Sequence, residues 1–153
     1  MEIGINDSHL TKAILRDPVC NALLKEYWGC DPFVMHFQMH SSPQEWDKLY
    51  LYACSLARWF PQHHIIRATS VLAATLFPTG YFDFVYIDAD HRYESVMQDI
   101  KAWLPKVAKG GFLGGHDYGG KRHPGVTKAV DEVFGENVTI LDGMVWIHKL
   151  KED

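Results

Sequence analysis

Two acids and a histidine, Asp88, Asp90 and His91, follow directly on an apolar run in FDFVYIDADHRYESV. A second polar group, His116-Asp117, follows GGFLGG. Carboxylates are hard oxygen donors of the type Mg²⁺ accepts in small number, beside water or substrate oxygens. Histidine titrates near neutrality and suits proton removal at cytoplasmic pH. Phe84, Val85, Tyr86 and Ile87 make a β-branched and aromatic run without alternation, which predicts a parallel strand covered on both faces. In open parallel sheets ligands bind beyond the carboxyl ends of the strands, and these polar residues occupy that address.

The elements that must position them alternate along the chain. A short strand over 2–5 is followed by cap-type residues 6–8 and by Leu10, Ala13 and Ile14 at helical spacing. A second strand, 27–30, ends at Asp31-Pro32. Ser42-Pro43-Gln44-Glu45 then starts a helix, with a Ser cap, Pro at the first helical position and Glu three residues after the Ser. Trp46, Leu49, Ala53, Leu56, Ala57 and Phe60 continue its apolar face, and Trp46, Trp59 and Trp103 are assigned to the core. The third strand covers 64–68 and a short helix 71–77, which Ser70 could cap. After the strand ending at Ile87, the stripe Val96, Ile100, Trp103, Leu104 and Val107 predicts a helix closed by Lys109-Gly110-Gly111. A fifth strand at 112–113, a helix over 124–134 and two strands at 138–141 and 144–148 complete the chain. Asp142-Gly143 is the hairpin turn between the last two. Five βα units followed by a hairpin predict an α/β fold, a doubly wound, mostly parallel sheet with one antiparallel strand.

At 153 residues the chain is most simply one domain, and 47% hydrophobic with 22% charged residues is ordinary for a globular protein. A net charge of −4 gives no electrostatic reason to expect nucleic acid, and Lys121-Arg122-His123 reads as a solvated loop. No apolar run is long enough to span a membrane, and MEIGINDSHL lacks the features of a signal peptide. Cys20, Cys30 and Cys54 are odd in number and lack CxxC spacing, which predicts free, mostly buried thiols in the cytoplasm. His36 and His40 in MHFQMH have a ligand-like spacing but no helical face, and chance accounts for them.

Residues 65–149 carry a resemblance. IIRATSVLAATLF, FDFVYIDADHRYESVMQDIKAWLPKVAKGGFLGGHDYGG, HPGVTKAVDEVF and DGMVWIHKL resemble successive segments of the class I methyltransferases that use S-adenosylmethionine. The likeness is greatest to small-molecule and sugar O-methyltransferases, many of them metal-dependent. It implies a Rossmann-like sheet of seven strands with a C-terminal antiparallel hairpin, in a single domain over 1–153 that lacks the usual N-terminal cap helices. It also implies S-adenosylmethionine as cofactor, a divalent metal (Mg²⁺ or Mn²⁺) and a small-molecule acceptor bearing a hydroxyl. Without the cap, the site is either open to large substrates or completed by a neighbouring subunit in a homo-oligomer.

Residue by residue, the resemblance implies the following roles. Glu2 and Gly4 match the acid and first glycine of the cofactor loop, and Ser8 stands where a second glycine is expected. Asp31 would hold the ribose hydroxyls, or else serve as a turn residue before Pro32. Thr69 and Ser70 would lie beside the adenine, with Ser70 alternatively a plain helix cap. Asp88 would touch the cofactor and, with His116 and Asp117, hold the metal. His116 departs from the acid or amide of relatives, and its nitrogen tilts the site toward Mn²⁺, Zn²⁺ or another transition ion, or leaves it metal-free. His91 takes the position of a general base, or merely caps the following helix. Asp90 could contact cofactor, line the site or begin that helix. Two other readings remain: a cofactor-binding protein or truncated methyltransferase without turnover, favoured by Ser8 and the short N-terminus, and an NAD-binding domain. The NAD reading is opposed by the missing G-x-G-x-x-G after the first strand.

Overall fold

The computed structural model describes residues 1–34 and 42–152. Its strands are β1 (Glu2–Ile3), β2 (Tyr27–Cys30), β3 (His63–Ile66), β4 (Phe82–Ile87), β5 (Val107–Gly115), β6 (Thr139–Leu141) and β7 (Val145–Lys149). They form one seven-stranded sheet in the order β3-β2-β1-β4-β5-β7-β6. β1 to β5 pair in parallel, while β7 runs antiparallel to both β5 and β6. β1 lies between β2 and β4, so the order reverses there and a crevice opens beyond their carboxyl ends.

The helices are α1 (His9–Arg16), α2 (Pro18–Leu23), α3 (Pro43–Leu56), α4 (Ser70–Ala74), α5 (Tyr93–Trp103) and α6 (Pro124–Phe134). α3 starts where its sequence signal lies. Ser42 Oγ accepts from the Glu45 amide, Glu45 accepts from the Ser42 amide, and Pro43 opens the first turn. α2, not anticipated above, starts at Asp17-Pro18, with the Asp17 carboxylate accepting from the Val19 and Cys20 amides. α5 buries Val96, Asp99, Ile100 and Trp103, and α6 buries Val126, Ala129, Val130 and Phe134. With Ile3, Val85, Ile87, Leu113 and Trp146 these form the main core. A smaller cluster of Ile5, Phe33, Trp46 and Ala53 packs on the opposite side. The sheet is therefore wound on both faces.

Several expectations are corrected. Pro105 sits in a 3₁₀ turn over Leu104–Lys106, so Val107 begins β5 instead of ending a helix. Lys109-Gly110-Gly111 fall within that strand, at an irregularity where Phe82 pairs with Val107 but Phe84 with Phe112. β3 starts and ends earlier than expected, at His63–Ile66, and α4 covers only Ser70–Ala74. α1 buries Thr11 and Leu15, not the Leu10, Ala13 and Ile14 stripe. Trp59 lies beyond the end of α3 and is 80% exposed. Cys20 is exposed, although all three cysteines are free. One face of β4 is covered at Val85 and Ile87, and the other only in part, with Tyr86 half-buried. Phe84 and its partner Phe112 remain about 40% exposed, because the opposite side packs at β1–β3 through Thr11, Trp46 and Ala53. His36 and His40 lie outside the described residues. No helix among the described residues is long and apolar enough to cross a membrane.

Candidate active site

The carboxyl ends of β1, β2 and β4 surround a cavity of about 580 Å³, within the range of roughly 300–1,000 Å³ usual for small-molecule and cofactor sites. Gly4 follows β1 at φ +88°, and a side-chain carbon there would stand 2.0 Å from the Asp88 carbonyl oxygen. Only glycine lets the loop after β1 lie so close to the end of β4. Ser8, the N-cap of α1, is buried at φ 61° and ψ 28°, the left-handed conformation in which glycine is least strained. Its hydroxyl lacks a hydrogen-bond partner, and Ser8 is not among the residues lining the cavity.

Of the other anticipated residues, Glu2, Gly4, Asp31, Thr69, Ser70, Asp88 and His91 all line it. Glu2 is 3% exposed, and its Oε2 accepts from Thr11 Oγ1 and from the Tyr27 hydroxyl at 2.6 Å. Burial pushes its carboxyl up to about 7, against those two bonds. Asp31 accepts from the Asn6 and Phe33 amides at 3.0 and 2.7 Å, one on each oxygen. Thr69 is the N-cap of α4 by backbone position but makes no side-chain cap bond, and Ser70, one residue inside the helix, accepts from Trp103 Nε1 at 2.8 Å. Asp90 accepts from the Arg92 amide and the Ser95 hydroxyl, and it pairs with the Arg92 guanidinium. It thus braces the turn before α5, whose N-cap is Arg92, while also lining the cavity.

Asp99 was not foreseen. It lies in the apolar stripe of α5, is 5% exposed and lines the cavity; burial pushes its carboxyl up to about 6, with the Ser70 hydroxyl opposing. An acid on the buried stripe of an amphipathic helix was the available signal.

Asp88 and His91 also belong to a cluster with His116 and Asp117 at the end of β5. His91 Nε2 lies 2.8 Å from Asp117 Oδ2 and 3.6 Å from Asp88 Oδ1, and His116 Nδ1 lies 3.4 Å from Asp117 Oδ2. The His91–Asp117 approach is off the line of a well-directed hydrogen bond, and it is an ion pair when the ring is protonated. Asp88 raises the His91 pKa, with Asp117 and Asp90 adding to it and burial opposing. Asp117 itself sits at φ 63°, a conformation uncommon outside glycine and concentrated at functional sites. His123 joins the cluster and lies against His91, ring centroids 4.0 Å apart and planes tilted by 33°. The basic tripeptide at 121–123 concealed it.

The residues fit the two groups that the resemblance implies. Glu2, Asp7, Asp31, Asp88, Asp90 and Asp99 line the cavity, and no lysine or arginine does so among the described residues. Such a lining suits a ligand carrying a sulfonium, an amine and a ribose diol, and opposes the pyrophosphate of a dinucleotide. Ligand atoms of Asp88, His116 and Asp117 lie within 4.8 Å of one another, a donor set of two carboxylates and one imidazole whose chemistry is compatible with a divalent cation.

Glu2 provides a stability test. Its folded value near 7 lies above the ordinary 4.5, so the neutral form favours folding. That contribution is complete below the ordinary value and is lost as pH rises toward 7, amounting to about 3 kcal/mol. Glu2→Gln keeps an acceptor for Thr11 and Tyr27. It should raise the melting temperature at about pH 8 and change it little at about pH 5. An equal shift at both pH values would show that Glu2 is ionised in the folded protein.

A sheet ordered 3-2-1-4-5-7-6 with one antiparallel strand, and an acid-lined cavity at its switch point, is the plan of the class I S-adenosylmethionine-dependent methyltransferases. A sequence family described as a methyltransferase domain matches residues 9–118, and the chain belongs to that family. The fold is similar to that of CalS11, a TDP-rhamnose 3′-O-methyltransferase of calicheamicin biosynthesis. There the identity is 19% and the TM-score 0.65, over 97% of this chain and 69% of that one. The O-methyltransferase NovP is similar at 19% identity and a TM-score of 0.62, over 98% and 70% of the two chains. The N-methyltransferase NodS from Bradyrhizobium japonicum follows at 14% and 0.61, over 99% and 84%. At these identities the likeness carries the fold alone. No curated protein sequence matches the chain.

Proposed function

We propose that the protein methylates a hydroxyl group of a small molecule or sugar, with His91 as general base and a divalent cation, Mg²⁺ or Mn²⁺, held by Asp88, His116 and Asp117. The observation that carries this reading is the seat of His91, between two carboxylates and at the rim of the cavity it helps to line. The oxygen-directed activities in the names of CalS11 and NovP, the first on a TDP-sugar, support the choice of acceptor.

S-adenosylmethionine, when bound, supplies an electrophilic methyl group on a sulfonium. A cation at the carboxylate–imidazole set supplies Lewis acidity to a neighbouring hydroxyl. The remaining work belongs to the chain. Gly4 keeps the loop after β1 low, Asp31 would offer its remaining lone pairs to the ribose hydroxyls, and Thr69 and Ser70 would lie beside the adenine. His91 takes the acceptor's proton, and Asp117 and Asp88 stabilise the imidazolium that results. Holding acceptor and methyl donor in line replaces a bimolecular encounter with an aligned one. One domain carrying these groups, in the cytoplasm and in a homo-oligomer, completes the proposal. The three free cysteines suit a reducing compartment.

Calorimetric titration with S-adenosylhomocysteine, with and without Mg²⁺ or Mn²⁺, tests the reading, with NAD as control. Binding of S-adenosylhomocysteine and not NAD is expected, strengthened by the cation. Asp88→Ala or Asp117→Ala should then abolish metal-dependent turnover in a folded protein. Full metal-dependent activity in either variant would remove the metal assignment. If S-adenosylhomocysteine does not bind, a role as a methyltransferase is withdrawn.

A further inference from the structure

His91, Asp117 and His123 offer a second set of ligand atoms within 4.8 Å of one another, sharing only Asp117 with the set already described. We propose that these three residues form a separate site for a divalent transition ion such as Zn²⁺, and that an ion there switches the enzyme off by occupying its base.

Three features support a built site. The first is the donor chemistry. Two imidazoles and one carboxylate suit Zn²⁺ and its transition-metal neighbours, whereas Mg²⁺ prefers oxygen ligands and keeps its waters. Three protein ligands with an open fourth position is also a usual arrangement for zinc.

The second is rigidity. His123 is the N-cap of α6, and Pro124 and Gly125 form its first turn. A side-chain carbon on Gly125 would lie 2.6 Å from both the His91 carbonyl oxygen and the Tyr93 amide. The start of α6 is thus seated directly on the loop after β4, and His123 is brought against His91 by backbone packing.

The third is availability. Both His91 ring nitrogens are buried and free of well-directed hydrogen bonds, so coordination need not break one. A Zn²⁺ ion roughly 2.0–2.2 Å from tetrahedral ligands spaces them by roughly 3.4 Å. His91 Nε2 stands 2.8 Å from Asp117 Oδ2 and all three ligand atoms lie within 4.8 Å of one another, so the present spacings bracket that value.

The ion would use the His91 lone pair that proton removal needs, and it would draw Asp117 away from Asp88 and His116. A cation at Asp88, His116 and Asp117 and one at His91, Asp117 and His123 would therefore have opposite effects on turnover. The inhibitory consequence rests on His91 being the base, but the binding site does not.

Zn²⁺ affinity of the full chain is measured by competition with a chromogenic chelator, and Co²⁺ absorption reports the ligand set. His123→Gln should weaken Zn²⁺ at least ~10-fold and remove the intense visible Co²⁺ bands, while Asp88→Asn leaves both in place. In the unsubstituted protein, one equivalent of Zn²⁺ should shift the imidazole nitrogen resonances of His91 and His123 but not those of His116. This second measurement needs no variant to fold. Unchanged Zn²⁺ affinity in folded His123→Gln, or shifts confined to His116, would overturn the site. Zn²⁺ bound at His91 and His123 without loss of Mg²⁺-supported turnover would overturn the switch and count against His91 as the base. Zn²⁺ binding with no methyl transfer under any condition would instead fail the catalytic reading while supporting the site.

Discussion

His91→Gln is expected to lower turnover by ~10²–10⁴-fold, the usual contribution of a positioned general base. Glutamine approximates the reach of the imidazole and keeps polar atoms near Asp88 and Asp117, but it cannot accept a proton at neutral pH. Cofactor affinity should stay within about threefold, because the cavity walls from β1, β2 and α4 are untouched. The diagnostic result is therefore a fall in kcat with little change in S-adenosylhomocysteine binding. A variant that keeps turnover within about threefold of the original would remove His91 from the mechanism. It would also leave the Asp117–His91 pair as a structural contact that helps to hold the ends of β4 and β5 together.

The largest stability effect is expected at Gly4. In Gly4→Ala the new carbon meets the Asp88 carbonyl oxygen at 2.0 Å, its carbon at 2.7 Å and Ala89 Cα at 2.8 Å, all of them backbone atoms. The φ of +88° adds strain that no side-chain movement can relieve. Overpacking and left-handed strain each cost about 1–3 kcal/mol, so a combined loss of about 2–6 kcal/mol is expected. The loop must move away from Asp88, and S-adenosylhomocysteine affinity should fall with stability. Ser8→Gly in the same loop should have the opposite sign. It relieves a left-handed serine worth about 1–2 kcal/mol and removes a buried hydroxyl without a partner. Chemical denaturation of both variants checks the pair. A Gly4→Ala protein as stable as the original would show that the loop after β1 does not approach β4 this closely.

The helices and strands were legible where their signals are local. Ser42-Pro43-Gln44-Glu45 satisfies its own amides within one turn, and Asp142-Gly143 closes a hairpin over adjacent residues. Elsewhere two local signals compete. Lys109-Gly110-Gly111 looks like a helix stop, yet Pro105 had already ended the helix, and those residues form an irregular part of β5. Trp59 follows the helical spacing of α3 but lies past its last turn, so spacing assigned to the core a ring that faces solvent.

The candidate site divides in the same way. Asp31, Asp88, His91, His116 and Asp117 could be named from sequence because strands that pair in parallel end on one rim, whatever the details of packing. That conclusion needs only the order of elements, which hydrophobic periodicity and capping residues encode locally. Asp99 and His123 needed the folded chain. Asp99 reaches the cavity because α5 turns that face of its stripe toward Ser70, which also accepts from Trp103 on the same helix. His123 reaches His91, 32 positions earlier, because Gly125 lets one backbone rest on another. The fold class, the rim and most of its acids follow from periodicity and chain order, which are local properties of the chain. Which buried acid faces the cavity and which histidine lies against His91 depend on how closely distant backbones approach, and so are set only by packing.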